Sequence, residues 1–173
     1  IRFILEVYDA NGALAKERQV VSSDAITATF PLRLVPGRHY SFVAWADFVN
    51  QGSQDDLHYN TNGDNAFGLT KVELKSDDAQ NLNDETRDAY TGVFNTADNN
   101  GEVFSSSTVV NFKLTRPFAK LRVITTDMNQ LYSQLEKTTV NYTSKIYTAF
   151  NALSSKVDGE PVLLGAKEVT YGN

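Results

Sequence analysis

Apolar and polar residues alternate with a period of two along much of this chain, the spacing of strands with one buried face. Phe3, Leu5 and Val7 alternate with Arg2, Glu6 and Tyr8. The run ends at Asp9-Ala10-Asn11-Gly12, where Asn-Gly supplies the positive φ angles that a tight hairpin needs. Residues 14–21 return as the partner strand, and Lys16, Glu17 and Arg18 mark an exposed edge. Ile26, Ala28, Phe30, Leu32 and Leu34 repeat the alternation up to a Pro36-Gly37 turn. Residues 38–48 differ. Phe42-Val43-Ala44-Trp45-Ala46 is apolar on both faces, which predicts a central strand covered on both sides with Trp45 as a core anchor.

Residues 50–68 are polar and rich in Asn, Asp, Gly and Gln, a long loop of the kind that is functional or mobile. Short strands follow at 69–75 and 90–94, with a helical turn over Asp84-Glu85-Thr86-Arg87 between them. Residues 103–115 read as a long strand, with Val110, Phe112 and Leu114 on one face. It leads into Arg116-Pro117-Phe118-Ala119-Lys120-Leu121-Arg122-Val123, where Ala119, Leu121 and Val123 alternate as in a half-buried strand. Pro117 donates no ladder hydrogen bond and predicts a bend, a bulge or an edge.

Asp127 and Gln130 form a capping box for a short helix, with Met128, Leu131, Tyr132 and Leu135 on its apolar face, ending near 137. Strands at 138–143 and 145–153, a turn at Asp158-Gly159 and an apolar run at 162–164 complete the chain. Many short strands with turn signals and a single helix predict an all-β fold, an antiparallel β-sandwich. The expected division is an N-terminal sandwich over residues 1–126, then a capped helix and the start of a second, incomplete β domain over 127–173.

Composition narrows the function classes. A chain of 173 residues holds a core without staples, and a formal charge of -5 argues against nucleic acid as a partner. Cysteine is absent, which removes disulfides, thiolate metal sites and Cys nucleophiles. The chain opens on Ile1-Arg2-Phe3, inside a strand, so a processed leader is expected upstream.

No catalytic motif is present. A Gly-x-Ser-x-Gly elbow is missing, and His39 reads as a strand-end residue. Asp55-Asp56-Leu57-His58 gathers possible metal ligands, but in a loop rather than at fixed spacing on a rigid element, so it reads as solvated. Residues 98–102 have the composition of a calcium loop without its alternating order or distal Glu. Asp84, Glu85 and Asp88 read as a charged surface loop rather than an acid–base pair. Asn141-Tyr142-Thr143 matches a glycosylation acceptor, a weak signal. Tyr59, Phe67, Tyr90 and Phe94 lie near polar loops, where aromatics can stack on sugars. Asp56, His58 and Tyr59 are thus the candidate ligand-loop residues; no catalytic residue, metal or cofactor is expected.

The stretch at 116–123 resembles the Arg-x-x-Ala-Lys-Leu strand of Bacteroidetes fimbrillins and fimbrillin-like surface lipoproteins. Leu34-Val35-Pro36-Gly37-Arg38-His39-Tyr40-Ser41-Phe42-Val43-Ala44-Trp45-Ala46-Asp47 is similar to another strand of that group, and Arg87-Asp88-Ala89-Tyr90-Thr91-Gly92 and Ala149-Phe150-Asn151-Ala152-Leu153 add to the likeness. The resemblance implies Greek-key, transthyretin-like sandwiches and an exported, non-enzymatic structural or adhesion protein of the cell surface or outer membrane. Its partners would be fimbrial subunits or further copies of itself, joined by strand addition, with host or glycan ligands also in view. Membrane association would come only through a lipid anchor that this stretch of chain does not carry. The alternative is a carbohydrate-binding surface module using residues 50–68 and the nearby aromatics.

Overall fold

The computed structural model describes residues 1–61, 68–75, 84–96, 106–122, 124, 126 and 137–170. These residues make an all-β, sandwich-like fold in which each strand pairing is antiparallel. The first sheet has the order β2-β1-β3-β6, from β1 (Arg2–Asp9), β2 (Leu14–Ser22), β3 (Tyr40–Asp47) and β6 (Ala89–Asn95). The predicted hairpin joins β1 to β2. The Asp9 carboxylate accepts from the amides of Asn11 and Ala13 at 2.8 and 2.9 Å, and Gly12 takes φ 79°. That φ is open to glycine at no steric cost.

The second sheet has the order β4-β5-β8-β9, from β4 (Tyr59–Asn60), β5 (Val72–Leu74), β8 (Ala149–Asn151) and β9 (Lys156–Asp158). A two-stranded sheet pairs β7 (Lys137–Tyr142) with β10 (Gly165–Thr170). Tyr142 opposite Gly165, Ile146 opposite Val162 and Ala149 opposite Asp158 trace one long ribbon. Its tip docks beside β5, where Phe150 faces Val72 and the buried Ala152 donates its amide to the Leu69 carbonyl at 2.9 Å. The second sheet therefore draws strands from both sides of position 126.

β1 and β3 are buried on both faces, as the apolar run of β3 predicts. Between the two sheets lie Ile4, Tyr8, Val43, Trp45, Tyr59, Leu69, Val72, Ala89 and Ala152. On the outer face of the first sheet, Leu5, Val7, Tyr40, Phe42 and Ala44 form a second cluster. The face of β1 that looks polar in the sequence, with Arg2, Glu6 and Tyr8, is buried too, at 1%, 3% and 5% exposure.

Two extended segments cover the outer cluster. Phe30, Leu32 and Leu34 pack on it from one segment, and Phe112 and Leu114 from the other. The predicted alternation of half-buried and exposed positions holds at 28–34 and 110–114 and fails at Ile26, which is 87% exposed, yet neither segment is a strand. Among the described residues, no backbone–backbone hydrogen bond joins residues 26–34 or 106–114 to anything. Their side chains have found a surface, but among the described residues no strand pairs with them to complete a ladder.

The stretch from 116 also departs from the strand expected of it. Thr115 makes both bonds of a bridge with Thr91, at 2.8 and 2.9 Å, and the ladder stops there. Pro117, two residues on, has no N–H to extend it. Leu121 consequently stands 83% exposed instead of half-buried. Val123 and residues 127–136 of the expected helix lie outside the described residues; Lys137, its expected end, begins β7.

Gly92 in β6 sets how closely the second segment lies on the sheet. A Cβ there would sit 2.8 Å from the Lys113 carbonyl oxygen and 2.9 Å from a Leu114 methyl. Gly92→Ala should lower unfolding free energy by about 1–3 kcal/mol through overpacking. Urea denaturation checks this, with the midpoint falling and the slope unchanged.

Candidate functional site

The candidate residues of the polar loop are held by charges buried between the two sheets. Arg2 and Asp47 lie directly opposite each other on β1 and β3. The guanidinium grips the carboxylate in a two-pronged fork, Nε to Oδ1 at 2.9 Å and Nη2 to Oδ2 at 2.6 Å. The Trp45 indole N–H donates to the same carboxylate at 3.1 Å. The remaining arm of Arg2 reaches the loop, donating to the Gln54 carbonyl at 2.7 Å and pairing with Asp56 Oδ1 at 2.8 Å. Such forked, charge-assisted bonds tolerate burial because each polar atom is met.

Asp56 joins this pair to a second one. Its carboxylate accepts the Thr61 amide at 2.9 Å and the Thr61 hydroxyl at 2.7 Å. Thr61 in turn accepts two bonds from Arg18, at its carbonyl and its hydroxyl, at 2.6 and 2.8 Å. Arg18 pairs at 3.2 Å with Glu6, which also accepts from the Tyr8 hydroxyl and from the Leu69 amide at 2.9 Å. Burial works against the Asp56 anion, but the bonds from Thr61 and Arg2 outweigh it and hold its carboxyl below the ordinary 3.8. Burial, reinforced by the Glu6 carboxylate beside it, pushes the Tyr8 phenol far up. Asp56 is a brace that fastens the loop to β1 and β2.

His58 is buried, with Nε2 2.8 Å from the Thr86 hydroxyl. Asp84 Oδ1 lies 2.6 Å from the same hydroxyl and caps the 3-10 turn Glu85–Arg87 through the Thr86 amide at 2.9 Å. A hydroxyl has one proton, and the ionised carboxylate is its stronger acceptor. His58 Nε2 is therefore the donor to Thr86. That arrangement runs opposite to nucleophile activation, which needs a bare nitrogen facing the hydroxyl and a carboxylate behind the ring. The Thr86 bonds also hold Asp84 below its ordinary 3.8.

Tyr59 points inward and is 7% exposed. Its ring meets Trp45 edge-on at 5.5 Å and stacks on Phe118 at 5.8 Å, and its hydroxyl donates to the Arg87 carbonyl at 2.6 Å. It offers a sugar no open ring face. Phe94 packs between Phe42 and Phe112, and Tyr90 lies under the Arg116 guanidinium at 5.4 Å. Phe67 and residues 98–102 fall outside the described residues.

The other candidates are surface features. His39 is exposed, with Nδ1 3.4 Å from Thr96 Oγ1, and Asp55 bonds its neighbour Ser53. Asn141 is exposed on β7. Glu85 and Asp88 are taken up by Lys120 and Arg116, and Arg116 holds Asp88 below its ordinary 3.8. Among the described residues, no group of three or more His, Asp or Glu is arranged to hold a metal ion, and no helix is long and apolar enough to cross a membrane.

The three candidate residues thus sit near one another as internal ties. Reading the sequence alone missed the residues they tie to, namely Arg2, Glu6, Arg18, Asp47 and Thr61. The one available signal was a pair of charges, Arg2 and Asp47, in runs otherwise apolar enough to be central strands.

An opening remains at the edge of the first sheet. A groove of about 480 Å³ lies between residues 15–19 of β2 and residues 31–33, spanned by the Gln19 amide donating to the Pro31 carbonyl at 3.3 Å.

Fold and site together define an antiparallel β-sandwich whose interior charges serve as braces and whose outer layer, among the described residues, has no hydrogen-bonded ladder. The chain belongs to a family of unknown function, DUF6562, whose sequence model matches residues 1–172. No curated protein and no solved structure matches it.

Two outcomes follow for the braces. Arg2→Ala, which strands Asp47 in the interior, should destabilise by about 3–5 kcal/mol, while Arg2→Met with Asp47→Leu should recover most of that loss. Chemical denaturation of the three proteins tests it. Asp56, Asp84 and Asp88 all have folded-state pKa values below 3.8, so their contribution is full above that value and is lost as pH falls through the folded values. Denaturation midpoints should drop below about pH 4, and Asp56→Asn should flatten part of that drop.

Proposed function

We propose that this protein is a non-enzymatic structural or adhesion protein of the cell surface, of the fimbrillin-like kind, which assembles when an extended strand from another subunit joins its sheet. The observation that supports this is the outer layer at 26–34 and 106–114. It has the side-chain periodicity of two strands and none of their backbone bonds among the described residues. A strand lying alongside would satisfy those groups, and backbone pairing supplies affinity in recognition by strand addition. The neighbouring edge strand β2 carries the exposed Lys16 and Glu17, charges that discourage indiscriminate pairing.

Hydrogen exchange read by mass spectrometry, combined with light scattering across a concentration series, tests the reading. Amides of 26–34 and 106–114 should exchange far faster than those of β1 and β3 in the single chain, then gain protection as larger species form. Slow exchange in both segments of a chain that stays monomeric throughout would overturn the proposal.

A further inference from the structure

The unladdered layer has a one-sided charge. Residues 25–38 carry Arg33 and Arg38 and no acid, while residues 106–122 carry Lys113, Arg116, Lys120 and Arg122 and no acid. This concentration of cations sits on a protein of net charge -5. Arg116 and Lys120 are neutralised by Asp88 and Glu85. Arg33 and Lys113 have no such partner among the described residues, and both are exposed. They occupy the outward positions of the two segments, alternating with the inward Leu32 and Leu34 and the inward Phe112 and Leu114. At the groove, Lys16 adds a further cation beside Arg33; Glu17 is the acid there, and Arg18 is committed to Glu6 and Thr61.

We infer that the incoming strand is an extended segment with apolar residues at every second position and acidic residues at the positions between. It lies alongside one of the two segments in the same layer, its apolar side turned inward like Leu32 and Phe112 and its acidic side outward like Arg33 and Lys113. Opposite charges across neighbouring strands attract, and like charges repel. The same rule disfavours this chain's own residues 119–122, which carry Lys120 and Arg122 and no acid. The inference rests on the strand-addition reading and adds the chemistry of the partner.

The test uses the whole chain and three synthetic nine-residue peptides of alternating Val and a second residue, which is Glu, Thr or Lys. Binding is followed by fluorescence anisotropy at low and high salt. The Glu peptide should bind roughly tenfold or more tightly than the Lys peptide, with Thr between them. The preference should shrink as salt rises. Arg33→Glu with Lys113→Glu should reverse the order while leaving the fold intact, because both side chains are exposed. Equal binding of all three peptides, or an order unmoved by the double reversal, overturns the charge inference and leaves strand addition standing. Failure of every peptide to bind removes both.

Discussion

The structure depends on burying charge without leaving it alone. β1 sends Arg2 and Glu6 into the space between the two sheets, beside Ile4 and Tyr8. An unpaired charge there is far too unfavourable to keep, so each has an opposite partner held in a fixed geometry. Arg2 fixes the register of β1 against β3 through Asp47. Glu6 fixes β2 through Arg18, at the point where the β1–β2 register shifts. Asp56 closes the circuit between the two pairs and brings the polar loop down onto the sheet. These contacts add specificity of register more than net stability, since an apolar replacement of similar volume can be as stable.

The same arrangement occupies the candidate side chains of the polar loop. Asp56 and His58 face inward and are bonded to neighbouring groups, while Asp55 stays at the surface. His58 donates to Thr86, Asp84 accepts the hydrogen bond of the Thr86 hydroxyl, and Tyr59 is held between Trp45 and Phe118. A binding surface needs groups left over after folding. Among the described residues, the outer-layer backbone at 26–34 and 106–114 and the exposed Arg33 and Lys113 are such groups.

Pro117 has a matching role at the other edge. The Thr91–Thr115 bridge shows that this part of the chain runs beside β6, and the missing N–H stops the ladder after one step. Arg116, Phe118 and Lys120 then fasten the segment through side chains to Asp88, Tyr59 and Glu85. A segment held by side chains with its backbone unbonded is easier to displace than a laddered strand, because no run of cooperative hydrogen bonds must break.

Much of the fold was legible in the residues alone. The Asn-Gly hairpin, the doubly buried Trp45 strand, the helical turn at 84–87 and the edge character of β2 follow from local rules of φ angle, periodicity and charge. The alternation in the two outer segments was equally legible, and its side-chain pattern held at 28–34 and 110–114 but not at Ile26. What local pattern does not contain is which strands lie side by side, because hydrogen-bond partners are chosen across the whole chain. Only the tertiary structure decided that those two segments cover a face without a ladder, that the hairpin tip at Ala152 closes the second sheet, and that Arg2, Glu6 and Asp56 are braces. A charged residue reads as solvent-facing until its partner, dozens of positions away, is brought within hydrogen-bond distance.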